Sequence, residues 1–321
     1  MTVVDVIVLK NAMASSVAIT LDVMAMANSV CRGSGRPNAF QIRLRGSGAS
    51  SFSEFVSAPA GSDEPASLMI IPAQGFSKAE CIASRLAEPD VAEAGIWIKE
   101  AAERGTRITS SCTGTLLLAN TGLLDDRRAT TAWWLAPIFL QLFPKIRLDT
   151  SELVTTDGNF TTAGAAMAQM DLMVGVIARY AGARVADDCA RTMILDERRS
   201  QAPYMGISLL SAGDDSVSKA ASWARSRLED GISVDLVASA AGMSPRTFAR
   251  RVQRCTGMSP VYFLQQIRVE RAVELIETTR LPLEEIAAQV GYSEPSTLRA
   301  LIRRGFGLGP RELRARALKA A

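Results

Sequence analysis

One cysteine sits where thiol chemistry could be supported. Cys112 lies in Ile108-Thr-Ser-Ser-Cys-Thr-Gly-Thr-Leu-Leu-Leu-Ala119, where a β-branched run turns at once into a helical one. A strand feeding directly into a helix presents its corner residue at the carboxyl edge of a sheet, the geometry of an activated nucleophile. The free N–H groups and partial positive charge of the helix start, at Thr113 and Gly114, are expected to lower the thiol's pKa. Asp22 is a candidate pocket-facing acid. A carboxylate set among Leu21, Val23, Met24 and Met26 needs a partner or water. The chain contains no histidine, so neither a Cys-His pair nor a histidine metal site can form. Two readings of Cys112 stand: a reactive or redox-sensing thiol, or a corner residue that packs without reacting. Of Trp133 and Trp134, one is expected in the core and one at a pocket or interface. The sets Met24/Met26 and Met167/Met170/Met173 read as core packing.

The second group of residues able to do chemistry is arginine. Of the 36 basic and 33 acidic residues, 17 and 12 lie from Gly213 onward, leaving 19 and 21 before it. The C-terminal third is therefore net positive and the rest slightly negative. Fifteen of those 17 are arginine, the side chain that bonds guanine or phosphate through two parallel N–H groups. They are interleaved with a pattern that occurs twice, about fifty residues apart. Ala238 precedes Gly242 by four residues, and Ala287 precedes Gly291 by four. Each glycine is followed by an apolar pair one helical turn apart, Phe248 with Val252 and Leu298 with Ile302. A small residue permits close helix crossing, a glycine takes the turn, and the i,i+4 pair seats a second helix while its other face stays free. These are two helix-turn-helix motifs, about 234–255 and 283–305, a device for reading double-stranded DNA.

The elements that must position these residues can be outlined. In the C-terminal third, Ser244-Pro245 and Ser259-Pro260 are N-cap and first-turn signals, and Ser293 is a candidate cap for the last recognition helix. The run 261–277 carries a helical stripe that joins the two motifs. Upstream, short strand-like runs (3–9, 40–44, 68–71, 107–110, 154–156, 160–163) alternate with helical ones (16–30, 88–104, 165–180 and the run after Cys112). Such alternation implies a parallel sheet covered on both faces, with functional residues at the carboxyl ends of strands. The expected organisation is an α/β domain over 1–200, a hinge-like linker over 201–215, and an all-α domain over 216–321. No charge-free apolar run approaches the roughly 18 residues of a membrane span. The N-terminus lacks the basic segment of a signal peptide, and five scattered cysteines suit the reducing cytoplasm.

The C-terminal third resembles the AraC/XylS-type DNA-binding domain. The likeness is carried by Gly257-x-x-Pro260 with Tyr262, Arg268-Val-Glu-Arg-Ala272, Ile286-Ala287 with Gly291-Tyr292, and Gly307-x-x-Pro310 with Arg314. Opposite the seating residues, Arg246, Thr247 and Arg250 are expected to read bases, with Arg251 and Arg254 on phosphate. In the second helix Ser296, Thr297 and Arg299 take the reading positions, and Pro245, Glu294 and Arg303 complete the interface. Where the family often has a further arginine, this chain has Ala300.

Residues 3–196, through the Cys112 segment and Ala119-Asn-Thr-Gly-Leu-Leu-Asp-Asp-Arg-Arg-Ala-Thr-Thr-Ala-Trp133, resemble the DJ-1/PfpI-like domain of class I glutamine amidotransferase-like proteins. More narrowly, they resemble the domain fused to an AraC-type module in GlxA-like transcriptional regulators. That resemblance implies a flavodoxin-like parallel sheet flanked by helices. It also implies a sensor pocket for a small polar effector, formed by Asp22, Gly75, Cys112, Thr113 and Trp133. A homodimer, no cofactor, and partnership with RNA polymerase if the protein is an activator follow from it as well. The departures argue against amidotransferase chemistry. The family's histidine is Ala132 here, and its Pro-Gly-Gly is Pro72-Ala-Gln-Gly75. The competing reading is a cysteine–carboxylate enzyme of the hydratase or glyoxalase type, or a thiol redox sensor, joined to a DNA-binding domain.

Overall fold

The computed structural model describes the chain except at 57–63, 76–78, 196–197, 199, 212–213 and 321. Its contacts divide it into two compact units, Met1–Arg198 and Arg199–Ala321.

The first unit is built on strands β1 (Thr2–Ile7), β2 (Phe40–Arg45), β3 (Leu68–Ile71), β4 (Arg107–Ser111), β5 (Arg128–Ala129), β6 (Arg147–Leu148), β7 (Val154–Asp157) and β8 (Phe160–Ala163). Its helices are α1 (Ala14–Gly33), α2 (Ala79–Leu86), α3 (Pro89–Glu103), α4 (Gly114–Asn120), α5 (Ala136–Leu142), α6 (Ala168–Tyr180) and α7 (Ala183–Thr192). Six strands form one sheet in the order β2-β1-β3-β4-β8-β7, while β5 and β6 make a separate two-stranded ribbon. The order 2-1-3-4 followed by a further parallel strand is the flavodoxin-like pattern, with its switch point between β1 and β3. One edge departs from the all-parallel expectation, because β7 runs antiparallel to β8. Only Gly158 and Asn159 separate them, and Gly158 adopts φ 61°. A two-residue connection can close a hairpin but cannot make a parallel crossover.

Alternate residues of the strands feed two cores. Ile7, Met69, Ile71 and Ile108 pack beneath α3 and α4, and Val4, Val6, Leu68 and Ile70 beneath α1, α6 and α7. By length and composition α1 could also cross a membrane, although half of that window is buried inside the molecule. The charge-free criterion applied to the sequence did not pick it out, because Asp22 interrupts the run.

The second unit is helical: α8 (Ile207–Ser211), α9 (Asp215–Arg225), α10 (Val234–Ala240), α11 (Pro245–Thr256), α12 (Pro260–Thr278), α13 (Leu283–Gln289), α14 (Pro295–Phe306) and α15 (Pro310–Ala320). Helix α12 buries Phe263, Leu264, Ile267, Leu275 and Ile276 and touches both helix-turn-helix pairs. The stretch read as a hinge is different in the structure. Helix α8 occupies part of it, and Met205, Ile207 and Leu210 are buried. The Ile207 amide donates to Glu270 Oε1 on α12 at 2.9 Å. Burial raises the Glu270 carboxyl pKa above its ordinary value. The burial of Met205, Ile207 and Leu210 holds the segment against the unit.

Candidate sensor elbow and nucleic-acid interface

The strand-to-helix corner is present, and it is closed. Cys112 takes φ 51°, a left-handed conformation rare for a residue with a side chain and characteristic of functional corners. The turn is fixed from several sides. The Cys112 amide donates to Ala163 O at 3.0 Å, Thr131 Oγ1 donates to Cys112 O at 2.7 Å, and Thr113 Oγ1 to Gln74 O at 2.5 Å. Gly114 admits no side chain, because a Cβ there would stand 2.4 Å from the carbonyl oxygens of Ile71 and Pro72. At Gly75 a Cβ would meet Asn11 O at 1.8 Å. These two glycines let the loops after β1 and β3 and the start of α4 close on one another.

The thiol itself is only 4% exposed. Burial pushes it up to about 11, and the Thr113 and Ala166 N–H groups and the Thr113 hydroxyl, which favour the thiolate, do not offset that. This corrects the expectation of a lowered pKa: desolvation outweighs a seven-residue helix's start. At neutral pH about one molecule in ten thousand would carry the thiolate. The groups that could form an oxyanion site are also engaged. The Ala73 amide donates to Ser16 Oγ at 3.0 Å. The buried Gln74 side chain accepts from the Leu9 amide at 3.2 Å and donates to Pro72 O at 2.8 Å.

Of the five predicted pocket residues, Cys112, Thr113 and Gly75 converge at the corner, and Trp133 is buried at 9% while Trp134 is 41% exposed. Asp22 does not join them; it is exposed. The buried stripe of α1 runs through Ser16, Val17, Thr20, Leu21, Val23, Met24 and Ala27, and Asp22 falls outside that helical phase. The polar residues that do turn inward are Ser16 and Thr20. Thr20 Oγ1 donates to Ser16 O at 2.8 Å and accepts from Gln169 Nε2 of α6 at 2.8 Å. A serine and a threonine one turn apart on an apolar stripe were the sequence signal for this network. Among the described residues, the buried Ser111 Oγ at the end of β4 and Gln169 Oε1 on α6 have no hydrogen-bond partner.

The helical unit presents the opposite situation. Gly242 (φ 67°) and Gly291 (φ 77°) make the two turns, and a Cβ at Gly291 would stand 2.4 Å from Leu228 O. Phe248, Val252, Leu298 and Ile302 are buried to 1% or less, so α11 and α14 are seated as their spacing predicts. Ser244 caps α11 by accepting from the Thr247 amide, with Pro245 in the first turn. The second motif differs: Glu294, not Ser293, holds the cap position of α14 and makes no side-chain cap bond. Pro295 in the first helical turn places the cap one residue later than expected.

Pro245, Arg246, Arg250 and Arg254 are exposed and Thr247 half-buried, while Glu294, Ser296, Thr297, Arg299 and Arg303 are all exposed. Arg251 departs from its predicted role as a free phosphate contact. Its Nη1 donates to Asp214 Oδ1 at 3.1 Å and to Ser216 Oγ at 3.0 Å. Asp214 caps α9 by accepting from the Ser216 and Val217 amides, and also pairs with Arg254 at 3.4 Å. Burial disfavours its charge, but the Val217 and Ser216 amides and the Arg251 guanidinium overcome this and hold its carboxyl below the usual value.

Comparison with known proteins agrees with this division. Residues 237–316 match the family model described as a helix-turn-helix domain, and residues 81–179 the DJ-1/PfpI family. The chain is 25% identical over 221 residues to the HTH-type transcriptional regulator GbdR of Pseudomonas aeruginosa, covering 68% of this chain and 60% of that one. It is 28% identical over 236 residues to the HTH-type transcriptional regulator GlxA of Rhizobium meliloti, covering 71% of each. A crystal structure of an AraC family transcriptional regulator from Pseudomonas putida aligns at 18% identity with a TM-score of 0.46, covering 60% of this chain and all of that one.

Proposed function

We propose that this chain, which joins a DJ-1/PfpI family domain to an AraC-type helix-turn-helix domain, is a sequence-specific transcription regulator governed by a small effector. The observation that carries the reading is the pair of seated recognition helices. Both α11 and α14 bury an apolar pair; α11 leaves Arg246, Arg250 and Arg254 exposed and α14 leaves Ser296, Thr297 and Arg299 exposed, the chemistry that bonds base edges and phosphates. Arg246, Thr247 and Arg250 read the first half-site and Ser296, Thr297 and Arg299 the second, with the half-sites about one DNA turn apart. Selection of fragments from the source genome by the full-length protein, followed by sequencing, tests this. A motif with two such half-sites is expected; recovery without sequence preference would overturn it.

The N-terminal unit acts in this reading as the sensor rather than as an enzyme. A thiol at about 11, an Ala73 amide bonded to Ser16 and a chain without histidine support that assignment. The effector is a small polar molecule taken up at the corner of Cys112, Thr113 and Gly75, which opens to admit it. The unpartnered Ser111 Oγ, on the residue before Cys112 at the end of β4, offers hydrogen-bonding capacity there. A metabolite panel scored by thermal shift identifies it, since a ligand that binds only the folded state raises the unfolding temperature. The regulator works in the cytoplasm, a reading that five free cysteines support, and as a homodimer, which rests on its resemblance to GlxA-like regulators. Its recruitment of RNA polymerase is tested by transcription from the selected promoter in vitro.

A further inference from the structure

The second unit holds an acid against the helix that the proposed function places on DNA, and we infer that Asp214 is a built-in competitor of the DNA backbone, holding Arg254 in reserve as a phosphate-binding side chain. The inference rests on the DNA-binding reading of α11. Arg246, Arg250 and Arg254 follow one another at intervals of four along that helix, so they share one face. Among the described residues the first two guanidinium groups have no hydrogen-bond or ion-pair partner, whereas the Arg254 guanidinium is drawn back to Asp214 Oδ2 at 3.4 Å while remaining 70% exposed. A carboxylate and a phosphate offer the same pair of anionic oxygens to a guanidinium, so either can accept it.

The exchange is inexpensive because Asp214 does not depend on Arg254. Its side chain is 8% exposed, and after release it keeps Arg251 at 3.1 Å and the Ser216 and Val217 amides at 3.0 and 3.3 Å. Arg251 cannot swing out in the same way, since its Nη1 is shared between Asp214 and Ser216 and it is the less exposed of the two, at 38%. It acts as the fixed strut, and Arg254 as the movable arm. The acid therefore lowers affinity for any duplex alike, without reading sequence. It occupies the cap position of α9, within the helical unit.

The test uses the full-length protein and a labelled duplex of arbitrary sequence, with affinity measured across a range of KCl concentrations. Asp214→Asn keeps the cap, because asparagine caps as well as aspartate, and removes the charge. It is expected to bind about two- to fivefold more tightly with an unchanged salt slope, since the same phosphate is contacted either way. Arg254→Gln is expected to bind more weakly and to reduce the slope by about one. In the Asp214→Asn background the loss from Arg254→Gln should be larger than in the wild type. Circular dichroism melts confirm that each variant is folded. Folded Asp214→Asn that binds no better than wild type overturns the inference, as does Arg254→Gln with an unchanged slope. A wild type that binds no duplex at all refutes the DNA-binding reading itself.

Discussion

The corner at Cys112 and the outer face of α11 are both built on a residue type that could react or bond strongly, yet they dispose of it in opposite ways. At the corner every capable group is turned inward. The thiol is buried, Thr113 is bonded to Gln74 O, and the Ala73 amide to Ser16. On α11 the apolar residues take the inside, and the arginines are left out with few partners. The difference teaches that motif geometry and chemical competence are separate properties. A strand-to-helix corner with φ 51° at its cysteine is preserved although desolvation holds the thiol protonated. The recognition face needs no perturbed group, only donors kept in water until DNA arrives.

The strongest way to break the contrast is to remove what holds the arginines outward. Phe248 is 1% exposed and meets Phe263 of α12 edge-on, with ring centroids 6.3 Å apart. Phe248→Ala should destabilise the helical unit by about 3–5 kcal/mol, the usual cost of truncating a buried phenylalanine, seen as an earlier unfolding transition and lost DNA binding. Unchanged melting would mean that α11 is not seated by this side chain. A smaller effect sharpens the contrast instead. Arg250→Ala leaves the core intact and should cost about 1–3 kcal/mol in specific affinity while relaxing base preference at one position. Binding-site selection on the variant that returns the wild-type preference would remove Arg250 from the reading set.

The two copies of the motif give a finer test. Ser244 Oγ accepts from the Thr247 amide in the first turn of α11, whereas Glu294 makes no such bond at α14. Ser244→Ala should therefore lower stability by about 1 kcal/mol, and Glu294→Ala by much less. Equal melting temperatures in the two variants would show that the caps do not distinguish the copies.

How much of this was legible in the sequence depended on whether a residue's role was local. Gly242, Gly291, Phe248, Leu298 and Ser244 act within one turn of their neighbours, and their spacing alone placed them. The alternation of strands and helices was readable for the same reason, down to the fully apolar β3. Long-range facts were not. That Asp22 faces outward and Ser16 inward depends on the phase of α1 against a sheet assembled later, and the four apolar residues around Asp22 gave the opposite impression. That Arg251 bonds Asp214 requires two segments 37 residues apart to meet. The raised thiol pKa depends on total burial, which a helix-start argument leaves out. The antiparallel edge was the exception. Asp157-Gly158-Asn159 announced a hairpin, but the surrounding alternation drew attention away from it.

The smallest expected effect is at the corner, and it is the one that separates the two regions most sharply. If Cys112 is sequestered, Cys112→Ala should leave duplex affinity unchanged in the absence of effector, whereas the arginine variants lower it. The thiol should also be inert in the folded protein. Relative to its ordinary value of 9.0, a value of about 11 lowers the thiolate fraction about a hundredfold, so iodoacetamide at mildly alkaline pH should label the exposed Cys81 and spare Cys112 until urea is added. The same proton makes a stability statement. The folded state keeps it up to about pH 11, while the unfolded chain releases it near 9. Between those values the unfolded state binds fewer protons, and stability falls as pH rises. Cys255, also pushed up to about 11, contributes in the same direction, so Cys112→Ala should reduce the alkaline fall in melting temperature without abolishing it. Native labelling of Cys112 as fast as in urea, together with an alkaline melting curve unaltered by Cys112→Ala, would show that the corner is open and that its thiol is held ready to react.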